Sequence, residues 1–246
     1  MGLEGKVVII TGASSGMGAA TARLLAQHGA KLTIVARRVQ RLNEMKAEFP
    51  NAEILPIQAD VTKLEQMEIV VNETLRVYKH IDVLWNNAGI MPINELRNGA
   101  TTEWRNLIDV NIHGVLNGVD TVLPTMIRQG AGHIITTDSV AGFVTRPKYA
   151  VYAGSKAAVK SIMEGLRQEE GQHGIKTTVI YPGQVATELA NSIHDETLRH
   201  QVATSIKSSS MTVLSPEEIA QTIAFIIDTP ANMSINELVI RPTAEM

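Results

Sequence analysis

The chain contains no cysteine. That excludes a disulfide framework, a Cys-based zinc site, a thiol nucleophile and an iron–sulfur cluster. It also lacks an excess of charge of one sign: 22 Lys+Arg stand against 25 Asp+Glu, a formal net charge of -3. Such a balance leaves no electrostatic footprint for nucleic acid or an anionic lipid surface. No apolar run approaches the ~20 residues needed to cross a bilayer. The start, Met1-Gly2-Leu3-Glu4-Gly5-Lys6, has no signal-peptide pattern, and Lys6 stands where a myristoylation motif wants Ser or Thr. These absences lead us to expect a cytoplasmic protein with no nucleic-acid or membrane partner.

What is present is a strict alternation. With 246 residues, 44% of them hydrophobic, the chain can bury a core as one domain, 1–246. Short β-branched runs predict strands at Lys6–Ile10, Lys31–Ala36, Glu53–Gln58, Asp82–Trp85, Gly132–Thr137, Thr177–Tyr181 and Glu237–Ile240. Helical patterns lie between them, including Ser15–Gly29, a long stretch Thr102–Arg128, Tyr149–His173, and Pro216–Asp228 with proline in its first turn. Strands apolar on both faces and separated by helices imply a parallel sheet covered on both sides. A (β/α)₈ barrel alternates in the same way, but its phosphate site lies late in the chain. Here the glycine-rich turn follows the first strand. The predicted architecture is α/β: a single Rossmann-like, doubly wound parallel sheet flanked by helices. The polar stretch 187–214, with Ser208-Ser209-Ser210, breaks the rhythm at a strand's carboxyl end and reads as a substrate lid.

Thr11-Gly12-Ala13-Ser14-Ser15-Gly16-Met17-Gly18 joins the first strand to the first helix. Glycines allow a sharp turn and let backbone N–H groups reach a pyrophosphate, and the helix adds its positive end. Inside a strand–helix–strand unit this is a dinucleotide site. An NAD site carries an acidic residue at the end of the second strand to accept from the ribose 2′-OH. This chain has Ala36-Arg37-Arg38 there. A 2′-phosphate can pair with Arg37, helped by Arg38 and Ser14. The alternative is a pair of solvated charges at a helix start. Cations there oppose the macrodipole, so two of them ask for an anionic partner. NADP(H) is the expected cofactor.

Tyr152-Ala153-Gly154-Ser155-Lys156 places Tyr152 and Lys156 on one helical face. A phenol with an ordinary pKa near ~10 needs help to act at neutral pH, and a neighbouring ammonium can stabilise its phenolate. Ser139 lies just past the fifth strand, where its hydroxyl can bond a reacting oxygen. Asn86-Asn87-Ala88-Gly89 ends the fourth strand, and Asn111 lies in a helix. Singly, each has a bland reading as a cap, a loop satisfier or a polar core group. The seven histidines are scattered, without a His-x-x-x-His pair.

Together these motifs resemble the short-chain dehydrogenase/reductase family over nearly the whole chain. The matching positions are Thr11-Gly12-x-x-x-Gly16-x-Gly18, Asp60, Asn86-Asn87-Ala88-Gly89, Asn111, Ser139, Tyr152-x-x-x-Lys156 and Pro182-Gly183-x-Val185-x-Thr187. The resemblance implies that Tyr152 is the proton donor in reduction and acceptor in oxidation, and that Ser139 polarises the carbonyl. It implies that Lys156 binds the nicotinamide ribose and lowers the Tyr152 pKa, with Asn111 supporting a proton relay. Ser14, Ser15, Met17, Asp60 with Val61, Asn87, Ala88, Gly89, Pro182 and Gly183 would line the cofactor, and Val185 and Thr187 would hold its carboxamide. No metal is implied. The C-terminal region is similar to NADP-dependent carbonyl reductases of the clavulanic-acid-dehydrogenase and serine or 3-hydroxy-acid dehydrogenase type, which implies a homotetramer or homodimer. The apolar face of Ala157, Val159, Ile162 and Met163 fits either core or interface.

Asp138 departs from the family pattern, and strand alternation predicts that it points away from the reacting oxygen. The expected substrate pocket is Met91, Ile93, Val140, Ala141, Phe143, Tyr149, Gln184 and Leu189, largely apolar apart from Arg146. It suits an uncharged small-molecule carbonyl or alcohol. Two further readings stay open: a 3-oxoacyl-carrier reductase, and a non-catalytic NADP(H)-sensing protein.

Overall fold

The computed structural model describes residues 2–206 and 213–244, so Ser208-Ser209-Ser210 lies outside the described residues. Seven strands form one sheet: β1 Val7–Thr11, β2 Lys31–Ala36, β3 Ile54–Gln58, β4 Val83–Asn86, β5 Gly132–Thr137, β6 Ile175–Pro182 and β7 Glu237–Ile240. All pairings are parallel, in the order β3-β2-β1-β4-β5-β6-β7. The chain winds outward from β1 to β3, then returns to β4 and builds the other half. The reversal between β1 and β4 opens a crevice at the carboxyl ends of the strands.

The helices are α1 Gly16–Gln27, α2 Val39–Glu48, α3 Leu64–Tyr78, α4 Thr101–Ile108, α5 Gly114–Gln129, α6 Ala150–Glu170, α7 Glu196–Ile206 and α8 Pro216–Ile227. Every residue of β1 is buried, so both sides of the sheet need cover. Side-chain alternation sorts them. Val8 and Ile10 join Leu25 of α1, Leu42 of α2 and Ile223 of α8 in one core. Ile9 faces the other way, joining Val70 of α3, Val122 of α5 and Val159 of α6. Pro56 is tolerated because β3 is an edge strand. The proline start of α8 is completed by a capping box, in which Ser215 Oγ accepts from Glu218 N at 3.2 Å and Ser215 N donates to Glu218 Oε2 at 2.7 Å.

Three expectations change. The stretch Thr102–Arg128 is not one α-helix: α4 and α5 are joined by a π-helical turn, Asp109–His113. β6 starts two residues earlier than expected and carries through Pro182. The stretch expected to break the rhythm, 187–214, carries among its described residues a 3₁₀ turn, Glu188–Ser192, and then α7. Among the described residues no helix is long and apolar enough to cross a membrane.

Candidate active site

The glycine turn after β1 is built by backbone conformation. Gly12 and Gly16 have φ values of 67° and 53°, in the left-handed region. A Cβ on Gly18 would lie 2.5 Å from the Gly12 carbonyl oxygen, so α1 packs against the turn with no room for a side chain. Ser15 holds the N-cap position of α1, yet its hydroxyl accepts from Arg38 Nη2 at 2.8 Å rather than capping the helix. The first amides of α1 therefore keep no side-chain partner, the condition for receiving an anion.

The loop after β4 is clamped onto this turn. Thr11 Oγ1 accepts from the backbone N–H groups of Asn87 (3.0 Å) and Ala88 (3.1 Å), while Asn87 Nδ2 donates to Thr11 O at 3.1 Å. A cavity of about 390 Å³ results. Its walls include Gly12, Ser14, Ser15, Gly16, Met17, Arg37, Arg38, Asp60, Val61, Asn87, Ala88, Gly89 and Thr187. Asp60 is held by its neighbours: Oδ1 accepts from Thr62 N at 3.0 Å and its own N–H donates to Gln66 Oε1 at 2.7 Å. An uncapped helix start, glycines without space for Cβ atoms and a cavity bordered by arginines fit a dinucleotide's adenosine and pyrophosphate.

Of the two arginines after β2, the structure draws Arg38 to Ser14. Arg38 Nε and Nη2 donate to Ser14 Oγ at 3.1 and 3.0 Å. Arg37 lines the same cavity and is exposed. Sequence reasoning missed Glu188 and Arg41: the Glu188 carboxylate accepts from Arg38 Nη1 and Arg41 Nη1, each at 2.8 Å.

A second cavity of about 550 Å³ continues from the first, sharing Met17, Asn87, Gly89 and Thr187. Tyr152, Lys156 and Ser139 form its floor. Tyr152 and Lys156, one helical turn apart in α6, are each 6% exposed. Tyr152 and Ser139 border this same cavity, and the Ser139 side chain pulls the phenol's pKa down. Ser139 is extended and opens a 3₁₀ turn, Val140–Gly142, with its Oγ accepting from Ala141 N at 3.1 Å. Lys156 Nζ donates to Thr137 O at 2.8 Å and lies 5.9 Å from the Tyr152 ring centroid.

Burial pushes the Tyr152 phenol well above its ordinary range; the nearby Ser139 side chain opposes this and the Asp138 charge adds to it. Removal from water is the largest of these effects. The phenol carries its proton at neutral pH. Burial also lowers the Lys156 ammonium, and the Asp138 charge offsets part of that.

Asn111 sits in the π-helical turn, a distortion that often marks functional positions. Its Oδ1 accepts from Ile90 N at 2.9 Å; its Nδ2 donates to Ile90 O at 3.0 Å and to Ser155 Oγ at 3.2 Å. It thereby ties the β4 loop to α6. Pro182 and Gly183 line the second cavity, Val185 pairs with Leu214 in a single parallel bridge, and Thr187 Oγ1 accepts from Leu189 N at 3.3 Å.

Asp138 lies just past the end of β5, where its N–H still donates to Ile180 O at 2.8 Å, and it is among the residues bordering the same cavity while only 3% exposed. Its Oδ1 accepts from Ser139 N at 2.8 Å, and its Oδ2 is a buried atom without a hydrogen-bond partner. Burial pushes its pKa up to about 7, against the pull of Lys156, the Ser139 N–H and Lys160.

The pocket is also revised. Met91, Val140, Ala141, Arg146, Tyr149, Gln184 and Leu189 line the second cavity. Ile93 instead packs with Ala190, Ile193 and Leu198. Phe143 lies against Tyr181, ring centroids 4.4 Å apart, with Lys160 Nζ 4.3 Å from its centroid. Arg241, just after β7, joins the wall unanticipated. Its position past a strand's carboxyl end was the available signal. In α6, Val159 and Met163 are core residues, while Ala157 is exposed. Among the described residues no group of three or more His, Asp or Glu is placed to hold a metal.

Residues 6–198 match the family model for short chain dehydrogenase. An uncharacterized oxidoreductase of Staphylococcus saprophyticus is 42% identical over 245 residues, covering 99% of this chain and 98% of the relative. A serine dehydrogenase solved in its closed form with NADP+ superposes with a TM-score of 0.87 at 29% identity, covering 98% and 96% of the two chains. A short-chain dehydrogenase/reductase from Burkholderia phymatum, solved with NAD, gives a TM-score of 0.87 at 26% identity, covering 97% and 90%. The alternating sheet, the glycine turn and the Ser139, Tyr152 and Lys156 cluster thus share one explanation: the chain is an oxidoreductase of the short-chain dehydrogenase/reductase family.

Proposed function

We propose that this oxidoreductase uses NADP(H) to interconvert a ketone or aldehyde and an alcohol, with Tyr152 as acid and base. The observation that carries the reading is that Ser139, Tyr152 and Lys156 line one cavity, which shares walls with the glycine-turn cavity. When bound, the nicotinamide supplies or accepts hydride. Ser139 holds and polarises the carbonyl oxygen. Tyr152, protonated at neutral pH, gives that oxygen a proton in reduction and takes one back in oxidation. Lys156, anchored on Thr137 O, binds the nicotinamide ribose, and Asn111 supports the proton relay. The 187–214 segment serves as the substrate lid. Exposed apolar side chains such as Phe225 and Val239 support assembly as a homotetramer or homodimer.

Support for NADP(H) over NAD(H) comes from Arg38 and Ser14 standing at the rim, with no carboxylate at the end of β2. Arg38→Ala weakens NADP+ binding by about tenfold or more, the size of a lost charge-assisted hydrogen bond, and leaves NAD+ binding within about twofold. Arg37→Ala has the smaller effect. Fluorescence titration of both cofactors measures this, and equal losses for both would remove the arginines from 2′-phosphate recognition.

A panel of ketones, diketones and acyl thioesters, followed by NADPH absorbance with product chirality recorded, tests the activity. Turnover of none of them would overturn the reading. A 3-oxoacyl substrate on an acidic carrier is the second reading, favoured by Arg146 and Arg241 in the cavity wall. Strong turnover of acyl thioesters with weak turnover of small ketones selects it. A cofactor sensor without catalysis needs no buried phenol–serine pair, which counts against that alternative.

A further inference from the structure

Two cations at the start of α2 ask for an anion, and the chain supplies one from its far half. Glu188 opens the 3₁₀ turn that follows Thr187, 150 residues from Arg38. Its Oε2 accepts from Arg38 Nη1 at 2.8 Å and from Arg41 Nη1 at 3.0 Å, and its Oε1 accepts from Arg41 Nη1 at 2.8 Å. Arg38 turns its other edge to Ser14 and Ser15. Ser14, Arg38 and Glu188 all line the adenosine-side cavity. A 2′-phosphate would draw on these same guanidinium and hydroxyl donors, and a carboxylate already on them repels it.

We propose that Glu188 is a displaceable internal anion of the 2′-phosphate subsite. Its carboxylate latches the Glu188–Ser192 turn over the cleft and must leave Arg38 when NADP(H) binds, whereas NAD(H) binds with the latch closed. The proposal rests on the reading of Arg38 as the 2′-phosphate reader. The latch is weak enough to yield, because the Glu188 and Arg38 side chains are 40% and 47% exposed and solvent screens the pair. Release also reaches the substrate side, since Ser192 Oγ in the same turn accepts from Met91 N at 2.8 Å and Met91 lines the second cavity. The identity of the nucleotide thereby biases the wall that receives substrate.

Calorimetric titration with 2′,5′-ADP and 5′-ADP isolates the subsite, because the two probes differ by the 2′-phosphate and neither supports turnover. Glu188→Gln tightens 2′,5′-ADP by about three- to tenfold, the scale of one or two exposed ion pairs, and leaves 5′-ADP within twofold. Glu188→Asp falls between. In the wild-type protein, saturating 2′,5′-ADP speeds amide exchange across 188–192 and 5′-ADP does not. If Glu188→Gln shifts both probes equally, or weakens 2′,5′-ADP, the carboxylate orients the arginines and the latch is wrong. Should the wild type fail to distinguish the probes and Arg38→Ala alter neither, the reading of Arg38 falls and the latch with it.

Discussion

Tyr152→Phe lowers kcat by about 10²–10⁴-fold, the usual contribution of a positioned acid or base, and leaves cofactor affinity within about twofold. The substitution removes one hydroxyl and keeps the ring, which packs edge-on to Tyr149 with centroids 6.5 Å apart. The neighbouring Ser139 Oγ keeps its bond from Ala141 N. The fold therefore changes little while the proton donor disappears. Steady-state rates at saturating NADPH, beside a fluorescence titration of NADPH, separate the two effects. Undiminished turnover would exclude Tyr152 as the proton donor.

Asp138→Asn stabilises the protein at pH 8, by about 1–3 kcal/mol, and the gain fades as the pH falls toward 4. In the folded protein burial pushes the carboxyl up to about 7, from an ordinary 3.8. Between those values the native state holds a proton that the unfolded chain has released. Stability therefore declines as pH rises through that window and levels off above 7. Asparagine never ionises, keeps an acceptor for the Ser139 N–H and matches the shape. It removes the cost of a buried charge whose Oδ2 has no partner. For a domain of this size the gain is a rise of about 3–10 °C in Tm at pH 8. Thermal melts of both proteins from pH 4 to 8 measure the gap. A gap that stays constant with pH would show that Asp138 does not titrate in this window. The same change removes the charge that supports Lys156, so the alkaline limb of the rate profile moves to lower pH.

Much of the fold was legible because it is written locally. β1 reads as an uninterrupted apolar run, Pro216 marks a helix start, and the glycines of the first turn occupy positions that other residues strain to adopt. The candidate Tyr152–Lys156 pair was legible for the same reason, since a spacing of four places the two residues one turn apart whatever surrounds them. The long helix was less so: Thr102–Arg128 reads as one periodic run, and nothing local announces the π-helical turn that lets Asn111 reach Ile90 and Ser155.

Local pattern alone thus accounts for the strand–helix alternation, the dinucleotide turn and the spacing of Tyr152 and Lys156. Each depends on neighbours a few residues away, where backbone geometry dictates which side chains meet. The folded chain decided the rest: which arginine turns toward Ser14, which acid answers it, how deep Asp138 is buried, and that Arg241 joins the lining of the second cavity. Those outcomes join segments far apart in sequence. Burial and charge pairing act through space, and only the packed sheet brings its carboxyl-end loops to one cleft.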